Sequence, residues 1–494
     1  MDQRYFKDKY CQFLDCYGGI TYEGIQISDC LQSRLYGFLR NRHKYGMVSI
    51  MKDLLKPFIQ VISYLLIGTF ANGGRVVFPS ISSKDIPSIN NKYVFVLESD
   101  PNSSCHKTTS SITDEFDREE YIVLTSMYRY KKFDESALQG RLYPIESFIG
   151  FYCINPLLFL KYWLHYICIE CKSERIRGVY FNIWLLSRLS EVFLYIQSFK
   201  VILGKSPKAV VNTKEKFPMA ASATHVSNNK NIATFFVEHS ITKENDGFTY
   251  NYPLISDYVM VYGRMSKNWY LRRGVEEDRI IVSGQPRYDD LFGSIGGAES
   301  DIAKRVEKKH NKIRVTLATQ PFAKAVLKRQ VQSVCNELSS TKKGIEICIK
   351  PHPRDDVRAI KQFIPKNSRV NLISKNSNIL ECIKSSECII TYTSNVGLES
   401  LSLETPVIIT NYIKNNRTPI YCDNDVAMCA NKPGDISKYL LELLRGENDH
   451  IDWRKIRKFV SRRIDKKNGN SSRFVKKTIK RLSDHNKLNK KRLV

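Results

Sequence analysis

Two short loops gather the residue types that could grip an anion. The first, Ile349-Lys350-Pro351-His352-Pro353-Arg354-Asp355, comes directly after an apolar strand and before a helical stretch. Its two prolines restrict the backbone, while Lys350, His352 and Arg354 can offer hydrogen bonds or positive charge to a monophosphate or diphosphate. The alternative is a rigid turn whose histidine caps a helix. The second, Thr391-Tyr392-Thr393-Ser394-Asn395-Val396-Gly397-Leu398-Glu399, also follows a strand. Hydroxyl and amide side chains at a helix start cap it, and the free N–H groups there suit phosphate. Ser394, with the N–H groups of Asn395 and Val396, is the expected phosphate contact, and Glu399, one turn in, the expected acceptor for ribose hydroxyls. Without a ligand, the same residues make an ordinary cap.

Loops of this kind need rigid elements behind them. From about Lys208 onward, β-branched runs alternate with helix-like segments: Val210-Val211, Ile232 to Val237, Tyr258 to Tyr262 and Arg279 to Val282, then Arg314 to Ala318, Ile345 to Ile349, Val370 to Ile373, Cys388 to Thr391 and Pro406 to Thr410. That rhythm predicts parallel α/β sheets. The polar stretch from Gly293 to Lys312, with Gly296 and Gly297, is the predicted linker. Such sheets bind ligands beyond their strand ends, so a cleft between two doubly wound domains is expected. A chain of 494 residues also exceeds what one core usually fills, which favours two domains of roughly 200 residues. The expected division is a helical region over 1–70, a first Rossmann-like domain over 71–295, a second over 296–450, and basic amphipathic helices over 451–494. Arg75 to Phe78, Tyr93 to Leu97 and Tyr121 to Leu124 read as further strands of the first domain.

Taken together, the two loops resemble a family pattern: a Lys-x-His-Pro segment, then some forty residues later a hydroxyl-rich Val-Gly-Leu-Glu-x-Leu helix start and a Pro-Val-Ile-Ile strand. The pattern is similar to that of bacterial capsule polysaccharide synthesis proteins, including Kdo transferases, and more loosely to sialyltransferases and polyol-phosphate polymerases. Three upstream segments extend the likeness: Phe236-Val237-Glu238-His239-Ser240-Ile241, Ser283-Gly284-Gln285-Pro286-Arg287-Tyr288-Asp289, and Leu317-Ala318-Thr319-Gln320-Pro321. Glu238 and Ser240 depart from the Gln-His-Gly of relatives, and Thr393-Ser394-Asn395 stands where they carry paired hydroxyls one position later. The resemblance covers roughly residues 205 to 480. It implies a GT-B glycosyltransferase with an N-terminal acceptor domain and a C-terminal donor domain. The donor would be a nucleotide-sugar, CMP-linked as with sialic acid or Kdo, and the acceptor a surface polysaccharide or glycolipid. Lys350, His352, Pro353, Arg354, Thr393, Ser394, Asn395, Glu399, Thr319, Gln320 and Gly284 are the implied donor-binding residues.

Transfer from such a donor needs stabilisation of the leaving phosphate and, for inversion, a carboxylate base. His352, Lys350 and Ser394 are the candidates for the first task, with His239 placed to assist. Asp246, in Asn245-Asp246-Gly247, is the preferred base, with Glu98 and Asp100 as alternatives. No Asp-x-Asp segment bounded by a strand reads as a metal site, so metal-independent chemistry without a bound cofactor is expected. A CDP-glycerol-type polyol-phosphate transferase, or a UDP-sugar transferase or 2-epimerase, would share the same loops.

The charge is strongly positive: 77 Lys+Arg against 50 Asp+Glu, a formal +27, which calls for an anionic partner. Residues 451–494 carry 17 of the basic and 3 of the acidic residues, about half of the excess. Trp453, Ile456, Val460 and Ile464 form one apolar stripe there, and Val475, Ile479 and Leu482 a second. Two readings follow, contact with anionic inner-leaflet lipid or helices that close a domain. A nucleic-acid-binding protein is the rival outside enzymes, and it lacks RNP-type aromatic strands, helix-turn-helix and zinc-finger signals. The 13 scattered cysteines, Cys168-x-x-Cys171 included, and a start without a secretory pattern fit a reducing cytoplasm with buried, unpaired thiols. Phe58 to Ala71 and Phe151 to Ile169 are too short or too interrupted to predict membrane spans.

Overall fold

The computed structural model describes residues 88–145, 179–240, 253–293, 313–413 and 419–491, with short breaks, and parts of 21–34. Asp246, Cys168, Cys171, the two apolar stretches, the Arg75 to Phe78 strand and most of the predicted linker lie outside the described residues. The chain divides into two compact units, residues 1–287 with 471–494, and residues 288–470.

Unit 1 is built on seven parallel strands: β1 (Tyr93–Val96), β2 (Tyr121–Thr125), β3 (Leu142–Pro144), β4 (Ala209–Asn212), β5 (Ala233–Val237), β6 (Tyr258–Val261) and β7 (Ile280–Val282). Their order is β3-β2-β1-β4-β5-β6-β7, so the direction of winding reverses between β1 and β4. Alternate residues of a strand face opposite sides, and both sides here are apolar. Val94, Val96, Ile122, Leu124 and Val210 join one core with helices α2 (Val179–Leu203) and α3 (Pro218–Asn229). Tyr93, Phe95, Tyr121, Val123 and Val211 join the other, beneath helix α1 (Ser104–Thr113). Ile25, Ile27, Cys30 and Leu31 pack into the first of these cores, so this part of the predicted N-terminal helical region belongs to unit 1.

Unit 2 repeats the plan with six parallel strands: β8 (Ile313–Ala318), β9 (Ile345–Lys350), β10 (Val370–Leu372), β11 (Cys388–Thr391), β12 (Val407–Thr410) and β13 (Met428–Ala430). The order β10-β9-β8-β11-β12-β13 places its reversal between β8 and β11. Helices α4 (Arg264–Leu271) of unit 1 and α5 (Lys324–Ser340), α6 (Val357–Phe363), α7 (Ile379–Lys384), α8 (Asn395–Ser402) and α9 (Gly434–Leu444) of unit 2 complete the alternation. Val315, Leu317, Ile347, Ile349, Ile390 and Ile408 face one core with α5 and α9, while Ala318 and Ile389 face a smaller one. Two parallel-sheet α/β units are therefore present, as expected. The break falls at Arg287/Tyr288, eight residues before the expected boundary.

The basic C-terminal segment does not form one tail. Helix α10 (Trp453–Arg463) belongs to unit 2 and helix α11 (Ser471–Lys491) to unit 1. Their apolar stripes are used inside the protein: Ile456, Phe459 and Val460 of α10 are buried, and Val475 and Ile479 of α11 lie in the second core of unit 1. This is the closing-helix alternative. The lipid reading needs an apolar face to insert, and on these stripes protein already covers it. Among the described residues no helix is long and apolar enough to cross a membrane.

The cysteine expectation needs one correction. Cys30, Cys105, Cys335, Cys348, Cys382 and Cys388 are buried free thiols, but Cys422 and Cys429 form a disulfide, with Cα atoms 5.8 Å apart. Spacing in sequence alone gave no sign of it, because Cys429 lies on a strand whose partner segment is defined only by the fold.

Candidate active site

The register of unit 2 brings three loops to one edge of its sheet. Leu317 of β8 is level with Ile349 of β9 and with Ile390 of β11, so Thr319, Pro351 and Tyr392 emerge as neighbours at the carboxyl ends of the strands. This edge, at the reversal of winding, is where doubly wound sheets hold ligands. Most of the predicted donor-binding residues meet here: Thr319, Gln320, Lys350, His352, Pro353, Arg354, Thr393, Ser394, Asn395 and Glu399.

Their roles differ from the sequence expectation in several places. Asp355, given no role by sequence, organises the first loop. Its buried carboxylate accepts hydrogen bonds from the Thr319 hydroxyl at 2.5 Å and the His352 N–H at 3.0 Å. Burial raises its pKa above the usual carboxylate range. Lys350 is 5% exposed, and its ammonium donates to the carbonyls of Pro351 at 3.1 Å and Lys375 at 2.9 Å. It ties the loop after β9 to the loop after β10, and so acts as a structural cation where a phosphate ligand was expected. Pro353 and Arg354 are exposed.

His352 is held in one tautomer. The Arg354 N–H donates to its Nδ1 at 3.1 Å, which fixes that nitrogen as an acceptor and leaves the proton on Nε2. Burial, with Arg354 and Lys350 adding to it, pushes its pKa down to about 4. At neutral pH it is therefore an uncharged donor, which leaves it the hydrogen-bonding role of the two the sequence offers.

Across the reversal, Gln320 clamps the second loop. Its side-chain oxygen accepts from the Thr393 N–H at 2.8 Å and its amide donates to the Thr393 hydroxyl at 3.2 Å. Ser394 caps α8, accepting from the Val396 N–H at 3.3 Å. The N–H of Asn395 has no partner among the described residues and is left at the helix start, where N–H groups and the helix dipole favour an anion. Glu399 is 2% exposed and accepts from the Tyr288 hydroxyl at 2.6 Å. Burial and this bond replace the ribose contact expected of it.

The remaining predicted residues belong to unit 1. Gly284 adopts φ +72°, a conformation that favours glycine. The turn it makes lets Gln285 enter the core, accepting from the Thr108 hydroxyl at 3.1 Å and donating to the Glu238 carbonyl at 2.9 Å. In this structure Gly284 turns the backbone. His239, at the end of β5, has a buried Nδ1 without a hydrogen-bond partner. Burial and the positive Lys214 and Arg287 push its pKa down to about 3, against a hydrogen bond with the Thr213 backbone that raises it. Glu98 is not a free base: it is 1% exposed, accepts from the Met219 and Ala220 N–H groups at 2.9 and 3.3 Å, and lies 3.6 to 3.8 Å from Arg129 and Arg34. It fills the N-terminus of α3, the point in unit 1 equivalent to the start of α8. Asp100 is exposed and paired with Lys132.

Comparison with known proteins bears on the fold. Residues 252–466 match the model of the UDP-N-acetylglucosamine 2-epimerase family. Among solved structures, the wall teichoic acid polymerase TagF is similar with a TM-score of 0.50 and 14% identity, over 89% of this chain and 99% of that one. The fold is GT-B-like. The UDP-GlcNAc 2-epimerase of Neisseria meningitidis, solved with UDP-GlcNAc bound, gives a TM-score of 0.49 at 14% identity over 79% of this chain and all of that one. No curated protein matches the sequence. The GT-B-like assignment agrees with the architecture expected from the resemblance, and the family match spans all three loops of unit 2.

Proposed function

We propose that this chain is a GT-B enzyme whose unit 2 binds the diphosphate of a nucleotide-activated sugar, with uridine as the base in place of the cytidine of a CMP-linked donor. The observation that carries the reading is the convergence of three loops at the β8/β11 reversal, with the free Asn395 N–H, the Ser394 hydroxyl and the neutral His352 donor at one strand edge. Support for uridine comes from the family match over 252–466, which favours a UDP-sugar transferase or 2-epimerase. On this reading exposed Arg354 supplies the positive charge, while Lys350, Asp355 and Gln320 hold the loops in place. His239, uncharged at neutral pH, can accept a proton but brings no charge to a leaving phosphate. Asp246 remains the proposed base. A CDP-polyol transferase is the second reading, favoured by the likeness to the TagF fold over 89% of the chain.

Isothermal calorimetry with UDP, CDP and CMP tests the donor directly. UDP should bind most tightly. His352→Ala should weaken it by about 10-fold, the worth of one hydrogen bond to a charged group, whereas His352→Gln, which keeps a donor near the Nε2 position, should stay within about threefold. Tightest binding of CDP would move the assignment to polyol-phosphate transfer, and no response to any of the three would sink the nucleotide reading.

A further inference from the structure

The disulfide lies next to a residue that supports the proposed phosphate site. Tyr421, 3% exposed, donates its hydroxyl proton to the Ser394 carbonyl at 2.6 Å and accepts from the Leu398 N–H at 3.1 Å. It therefore braces the first turn of α8 from within, standing between the Leu398 N–H and the Ser394 carbonyl that an i→i−4 helix bond would join directly. Gly397 permits this: a Cβ there would stand 2.8 Å from the Tyr421 ring. The next residue in sequence, Cys422, is bonded to Cys429 on β13, which pairs in register with Ile409 of β12. The bridge thus anchors the short segment carrying Tyr421 to the sheet. Both cysteines are half-buried and neither is sealed in the core.

We propose that Tyr421 is a positioning residue for the nucleotide phosphates and that the Cys422–Cys429 couple regulates it. This rests on the reading of the α8 start as the phosphate site. A dithiol reductant donates two electrons and two protons, becomes a cyclic disulfide itself, and leaves Cys422 and Cys429 as two thiols. The segment then loses its covalent tie to β13, the Tyr421 hydroxyl no longer holds one position, and the Asn395 N–H loses its fixed aim.

The test is calorimetric titration of UDP and CDP into the full chain, oxidised or treated with dithiothreitol, and into Cys422→Ser/Cys429→Ser and Tyr421→Phe. Alkylation and mass measurement without reductant should find Cys422 and Cys429 protected. Reduction should weaken nucleotide binding by about three- to tenfold, the range expected for losing one hydrogen-bonded brace. The double serine variant should show the weaker affinity with or without reductant, and Tyr421→Phe should start weak and respond to reductant less than twofold. Cysteines that alkylate freely in the oxidised chain, or equal affinities before and after reduction of the wild type, overturn this proposal while nucleotide binding itself stands. Absence of binding in every form overturns the phosphate-site reading and this one with it.

Discussion

At the scale of residues, the chemistry is governed by which groups are left free after the loops have satisfied themselves. Lys350 looks from sequence like a ligand-facing charge, yet it and Asp355, to which the sequence assigns no role, are both consumed in holding backbone. Residue type could not distinguish them from Arg354, because burial is set by strands distant in sequence. The neutral histidines have a measurable consequence. His352 and His239 have pKa values lowered from the ordinary 6.5 to about 4 and about 3, and burial lowers His106 as well. Between pH 4 and 6.5 the unfolded chain therefore binds more protons than the folded one, so stability rises with pH across that window and is lost as pH falls through it. Unfolding followed by denaturant at several pH values should show this slope. His352→Gln and His239→Gln should each remove about one proton from the uptake on unfolding, and an unchanged slope in both variants would contradict the buried, neutral assignment.

At the scale of elements, the sequence was most legible where both faces of a strand are buried. The runs at Val210, Ile232, Tyr258, Arg314, Ile345, Cys388 and Pro406 all became parallel strands, because buried parallel strands read as continuous apolar runs. Helix α8 was legible too, since Ser394 announces its cap. Its brace was not. Tyr421 lies more than twenty residues away, and nothing local links it to Gly397. That contact makes a sharp prediction. Gly397→Ala should force the Tyr421 ring aside, costing about 1–3 kcal/mol of stability as overpacking does, visible in chemical denaturation. Tyr421→Leu in the same chain removes the ring that clashes, so the double variant should cost clearly less than the sum of the two single changes. Additive costs would show that the ring is not what excludes a side chain at position 397.

At the scale of the whole molecule, chain tracing explains why the C-terminal segment misleads in sequence. Its composition suggests a detached basic tail, yet the chain leaves unit 1 at Arg287, builds unit 2, and returns at Ser471 to complete unit 1. Gly469 sits at φ +75°, and a Cβ on it would meet the Gly293 backbone at 2.5 Å, so the outgoing and returning segments of unit 2 cross in close contact. Part of the positive charge of α11 is then answered locally: Lys480 pairs with Glu120, Lys476 donates to the Glu115 carbonyl, and Arg473 lies 3.9 Å from Glu115. A tail that only bound an anionic surface could be removed without harm to the fold. A helix that buries Val475 and Ile479 fully in the core of unit 1 cannot, because each buried aliphatic side chain contributes about 1.5–3 kcal/mol. Deleting residues 471–494 should therefore lower the melting temperature and expose unit 1 to proteolysis. The single charge changes Lys477→Gln and Arg481→Gln, made on exposed or partly exposed positions of α11, should leave melting within the small range of surface substitutions. If the truncated chain melts like the full one, α11 is a tail after all, and its charge would have to be explained by a partner outside the protein.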